Sequence, residues 1–210
     1  MTAAKVFHGI TALVVVAALV GEFVHVARGP ALTDDADAAV RILRYFSFFT
    51  VQSNILVAVT SIALARRPDR DEAWFRWMRL AALIGITITG IVYVTLLAPI
   101  HDPEGTAKLT NAGVHYFSPL ASVVGWVFFG PRPRISWRTV FLVLVWPVAW
   151  LTYTLVHGKV GYNHWYPYPF VDVGVHGYGK VALNCIGVAA IALGVGALYR
   201  WLDGKLRPAP

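Results

Sequence analysis

The chain has a single cysteine, Cys185, in 210 residues. An intrachain disulfide is therefore excluded, and cysteine usage assigns no redox compartment. Cys185 lies in an apolar run and reads as a small core residue. Charge is also scarce. Asp, Glu, Lys and Arg make up 14% of the sequence, against about 25% in an ordinary soluble domain. Acidic residues are the scarcest, 11 against 18 Lys and Arg. The G-x-S-x-G elbow of soluble hydrolases is missing, as are the P-loop and the Rossmann glycine pattern. There is no heptad run, no low-complexity segment and no clear internal repeat, so one domain over residues 1–210 is expected.

What fills the space is apolar: 57% of the residues are hydrophobic. Six segments reach the roughly 20 residues that span a bilayer. They cover about 5–27, 42–65, 77–98, 110–129, 137–157 and 178–201. The reading is an all-α, polytopic membrane protein, a bundle of six transmembrane helices. The first segment is too long for a leader h-region, and no small-x-small cleavage site follows it cleanly. Basic residues alternate between connections. Lys5, Arg66, Arg67, Arg70, Arg76, Arg79, Arg132, Arg134, Arg138, Arg200, Lys205 and Arg207 fall on one side. Arg28, Arg41, Arg44, Lys108, Lys159 and Lys180 fall on the other. The excess places both termini in the cytoplasm. The net charge of +7 then belongs to cytoplasmic loops and anionic headgroups, not to nucleic acid.

The outer connections differ in kind. The first is acidic, with a helix start at residues 33–35. The second is punctuated by Pro and Gly. The third, HGKVGYNHWYPYPFVDVGVHGYG, is dense in Tyr, Trp and Pro, and its two prolines favour an extended path. It reads as an ordered cap over the outer face. Within the fifth segment, Pro147 predicts a kink.

With this topology, every segment brings polar groups to the outer leaflet. These are Glu22 and His25; Thr50, Gln52, Ser53 and Asn54; Tyr93 and Thr95; Asn111, His115 and Ser118; Tyr153 and His157; Tyr178 and Asn184. Polar side chains in hydrocarbon are costly unless they find partners, so such a cluster points inward to a pocket. At about 1.5 Å per residue, Thr50 lies roughly 12 Å into its segment and His115 roughly 7–8 Å into its own. Asn111, His115 and Ser118 share one stripe, and Trp150, Tyr153 and His157 another.

A neutral imidazole is the commonest general base, and a hydroxyl becomes a nucleophile only beside one. Thr50 and His115 are the candidate pair. Asn54, Asn111 and Asn184 are candidate oxyanion donors or orienting groups, since backbone donors in helices are largely occupied. Asn54 equally serves to tie two helices. Glu22, His25, Tyr93, Ser118, Trp150, Tyr153 and His157 are expected to line the pocket. Glu22 and His25 have di-iron spacing, but the second Glu-x-x-His copy is missing. A single zinc on Glu22, His25, His115 or His157 fits the ligand types alone; the reading taken is no metal and no cofactor. His8, His101, His164 and His176 read as interfacial or solvated.

FFTVQSNIL in the second segment, NAGVH in the fourth and HWYPYPFVDV before the sixth resemble the androgen-induced-protein-like membrane family, in its bacterial branch. The resemblance covers nearly the whole chain. It implies an intramembrane threonine hydrolase acting on lipid esters, such as fatty acid esters of hydroxy fatty acids. By motif the nucleophile falls on Thr50 and its histidine on His115. It also implies residence in a bacterial plasma membrane among lipid partners. The departures are the aromatic third outer loop and a sequence that differs from the vertebrate members through much of its length, so the lipid substrate does not carry over. A non-catalytic lipid-binding protein and a small transporter remain as alternatives.

Overall fold

The computed structural model describes residues 2–28 and 37–208. The expected helix start at 33–35 lies outside the described residues. Helix α1 covers Thr2–Arg28 and the short α2 Ala38–Ser47. Then follow α3 (Phe49–Arg66), α4 (Ala73–Ile100), α5 (Gly105–Phe129), α6 (Trp137–Val160) and α7 (Val173–Lys205). All but α2 are long and apolar enough to cross a membrane, six helices among the described residues. The fold is all-α and the chain is an integral membrane protein.

Helix α4 is the centre. Its run from Leu80 to Ile86 is buried on every side, as expected of a helix that is hydrophobic all round. Leu80, Leu83, Ile84 and Ile88 pack with Trp126 of α5, Val140 and Val143 of α6, and Ala192 and Tyr199 of α7. Ala82 and Ile86 pack instead with Val15 of α1 and with Val57 and Ala58 of α3. The outer helices turn residues such as Leu13, Val148 and Ile186 away from the protein, where hydrocarbon meets them without cost.

The second segment is not one continuous helix. It breaks at Phe48, whose backbone is extended (φ −67°, ψ 129°). Helix α2 is capped by Asp37, which accepts from Val40 N–H at 2.8 Å, and is tied to α1 by the Tyr45 hydroxyl donating to Leu19 C=O at 2.8 Å. A helix end leaves orphan carbonyls. Here Gln52 Nε2 donates to Phe46 C=O at 3.0 Å and Trp150 Nε1 to Ser47 C=O at 2.8 Å. Side chains from beyond the break and from α6 therefore hold it open. Thr50 accordingly sits in the first turn of α3, not about 12 Å into a helix.

Two further departures from regular helix flank the same region. Helix α4 closes in a π-turn at Tyr93–Leu97, and α5 contains a π-turn at Gly113–Phe117. Single π-turns inside α-helices gather at functional sites. The kink expected from Pro147 is present as a break at Leu144. Proline has no N–H and its ring crowds the carbonyl four residues earlier, here that of Val143. Helix α7 bends at Gly177, whose φ of 72° favours glycine.

Candidate active site

The break at Phe48 frees the first N–H groups of α3 from intrahelical bonding. Thr50 is the second residue of that turn and is 9% exposed. Its hydroxyl lies 3.5 Å from His115 Nε2 on α5 and 3.2 Å from the Tyr168 hydroxyl in the connection between α6 and α7. Its backbone N–H donates to Tyr168 Oη at 3.1 Å. The approach to His115 is at the outer limit for a hydrogen bond. Proton transfer requires the pair to close by about half an ångström, and catalytic contacts commonly tighten once substrate is bound.

The histidine is oriented from behind. Asn111 Nδ2 donates to Tyr93 Oη at 2.7 Å, so Asn111 Oδ1 faces His115 Nδ1, at 2.8 Å, and accepts its N–H. That tautomer leaves the Nε2 lone pair for the Thr50 hydroxyl. Tyr93 also stacks on the imidazole, ring centroids 3.9 Å apart and planes 16° from parallel. The π-turns of α4 and α5 carry Tyr93 and His115 respectively. A Thr–His–Asn chain results, the arrangement that elsewhere activates a nucleophile through a positioned imidazole.

Tyr168 was not singled out by sequence reasoning. Its signal was the YPYPF run itself, read as a cap without a role for any one residue. The backbone at Tyr168 is extended (φ −140°, ψ 142°) between Pro167 and Pro169. The ring is wedged against Phe48, Trp150 and Phe170. Burial raises the phenol's pKa above its ordinary value, against the opposing effect of its bonds with Thr50. Tyr168 therefore stays a neutral donor. The cap is seated through Gly158, where a Cβ would overlap the Tyr166 ring.

Two cavities meet at Thr50. One, of about 180 Å³, is apolar and runs between α3, α4, α6 and α7 past Leu151, Val188 and Ala192. The other, of about 370 Å³, contains Glu22, Tyr93, Asn111 and His115 and reaches His101 under the cap. Thr50, Leu97 and Tyr168 line both. An apolar tail on one side and a polar group on the other is the shape this space accepts.

The remaining expected residues divide. Glu22 lines the polar cavity and accepts from the Thr110 hydroxyl. Trp150 lines the apolar one. Asn54 is fully buried and donates to Thr50 C=O at 2.9 Å and Val114 C=O at 3.2 Å. Its donors tie α3 to α5 and do not reach either cavity. Asn184 donates to Phe170 C=O at 2.9 Å, fastening α7 to the cap. Ser118 is buried beyond the π-turn and lines neither cavity. Tyr153 shares a 2.7 Å hydrogen bond with Ser47, and His157 packs against Trp165. Both stand outside the two cavities, as does exposed His25. Among the described residues no three His, Cys, Asp or Glu side chains gather to hold a metal. Comparison with models of known families, with curated proteins and with solved structures finds no match to this chain.

Proposed function

We propose that the protein is an intramembrane hydrolase of lipid esters, with Thr50 as nucleophile and His115 as general base. The observation that carries the reading is the Thr50 hydroxyl facing His115 Nε2 while Asn111 holds Nδ1. In the first step the imidazole takes the Thr50 proton and Thr50 Oγ1 attacks the ester carbonyl. The oxyanion forms beside the first turn of α3. There the Thr50 N–H and the Tyr168 hydroxyl, bonded to each other before substrate enters, are the donors available to it. Helix N-termini favour such a charge. The imidazolium then protonates the leaving alcohol, and the acyl group stays on Thr50. In the second step His115 takes a proton from water, which attacks the acyl-threonine; the imidazolium then returns that proton to Thr50 Oγ1 as the acid leaves.

The paired cavities support the same assignment. The apolar chamber suits an acyl chain and the polar chamber suits the alcohol portion and incoming water. The motifs that resemble the androgen-induced-protein-like family contain the same Thr50 and His115. With the basic excess at the Arg66 end, the site opens toward the outer leaflet of a bacterial plasma membrane, and both termini are cytoplasmic. A non-catalytic lipid carrier shares the chambers but has no use for an oriented imidazole. Purified protein in detergent, given long-chain lipid esters, is expected to release free fatty acid, and Thr50→Ala is expected to abolish release. Release by Thr50→Ala at the wild-type rate overturns the assignment.

A further inference from the structure

At the end of the bundle remote from Thr50, α4 carries a charge inside the protein. Arg79 is only 6% exposed. Its Nε and Nη2 are buried and make no hydrogen bond among the described residues. A guanidinium offers five donors and does not shed its proton, so withdrawing it from water without an acceptor is costly.

Among the described residues, the acidic side chains at this end of the bundle bond to other arginines or to backbone N–H groups, and none forms an ion pair with Arg79. Asp71 receives Arg76 through Nε and Nη2, both at 2.7 Å, and Arg134 Nε at 3.1 Å. Glu72 receives Arg70 Nε at 2.9 Å and also pairs with Arg67. Asp203 Oδ2 accepts the backbone N–H groups of Arg134 and Ile135 at 2.6 and 2.7 Å, while its Oδ1 is buried and makes no hydrogen bond among the described residues.

Beside Arg79 a cleft of about 20 Å³ opens between Phe75, Trp126 and Pro131. Arg70, Arg76, Arg79 and Arg134 all line it, and no carboxylate does. Its volume holds about one water-sized atom, the size of a single anionic oxygen. Arg79 lies six residues past the start of α4, roughly 9 Å along the axis, and the exposed Trp74 marks an interfacial level nearby. We propose that this cleft binds a phosphate group. One oxygen enters to accept from Arg79 and the others rest against the rim arginines. Guanidinium forks match phosphate oxygens bidentately, as they do carboxylates, and a phosphate carries enough oxygens to meet several arginines at once. The phosphate belongs either to an anionic lipid headgroup or to a free phosphate compound. The hydrolase reading is not needed for this assignment.

The test is thermal unfolding of the purified protein in detergent with gluconate as the only other anion. Titrants are phosphatidylglycerol, phosphatidylcholine and inorganic phosphate. Phosphatidylglycerol is expected to raise the melting temperature above the phosphatidylcholine control. A rise with inorganic phosphate as well identifies a free-phosphate site; a rise with phosphatidylglycerol alone identifies a lipid site. Arg79→Met is expected to weaken binding on the order of tenfold or more, as loss of a charge-assisted hydrogen bond should. Arg66→Gln, with the same change of charge outside the cleft, should retain it. Equal weakening by both variants, or no rise with either phosphate source, overturns the proposal. Should Arg79→Met fail to fold, native mass spectrometry of the wild type decides. Retention of phosphatidylglycerol or phosphate over phosphatidylcholine supports the site, and no preference overturns it.

Discussion

Thr50 is an ordinary membrane threonine until its neighbours are counted. In most transmembrane helices such a hydroxyl bonds back to a carbonyl one turn earlier, as Thr60 does to Leu56 at 2.8 Å. Thr50 has no preceding turn, because the chain is extended at Phe48. Its hydroxyl is left for His115 and Tyr168. Removing the Tyr168 hydroxyl with Tyr168→Phe keeps the ring packed against Phe48 and deletes one donor. On the proposed mechanism kcat falls by about 10²-fold with KM little changed, the usual cost of one oxyanion donor. Steady-state kinetics on the purified variant check it. Asn111→Ala frees the imidazole to rotate; the expected loss is about 10²-fold in kcat, the scale of an ångström-level misplacement. A rate equal to wild type in either variant removes that residue from the mechanism.

At the scale of elements, the sequence was informative about helices and uninformative about their interruptions. Apolar length marked all six membrane-length helices, because a bilayer enforces a fixed span. The pairing of Thr50 with His115 was also legible, since polar residues of several helices share one depth. The depth estimate itself rested on an unbroken helix over 42–65, and the break at Phe48 replaces it. Nothing in RYFSFFTVQSN is a helix breaker: no proline or glycine occurs there. The break exists because Gln52 and Trp150 satisfy its carbonyls, which is a tertiary fact. The two π-turns are equally silent in local sequence. Among the three asparagines, type alone did not separate the imidazole's partner from the helix ties. The cap has its own requirement. Gly158→Ala places a methyl group against the Tyr166 ring, and overpacking of this kind costs about 1–3 kcal/mol. A lowered melting temperature, with Tyr168 displaced and activity reduced, is the expected result; unchanged melting contradicts the seating of the cap at that point.

At the scale of the whole molecule, α4 forms a buried spine and the remaining helices arrange two chambers around one end of it. On the proposed mechanism the acyl chain occupies the apolar chamber, and the imidazole and water the polar one. Ala192 is 3% exposed and lines the apolar chamber. Ala192→Phe is expected to fill part of its roughly 180 Å³ and to shift hydrolysis toward shorter acyl chains. The polar chamber is untouched, so a small ester should react as before; equal loss on all chain lengths contradicts the division.

The most direct measurement of the central claim is covalent. A fluorophosphonate probe reacts with an activated hydroxyl and leaves a stable adduct that peptide mass spectrometry locates. The expected result is one adduct on Thr50, absent in Thr50→Ala and strongly reduced in His115→Ala. Labelling that persists in both variants, or wild-type protein that takes no label, contradicts it.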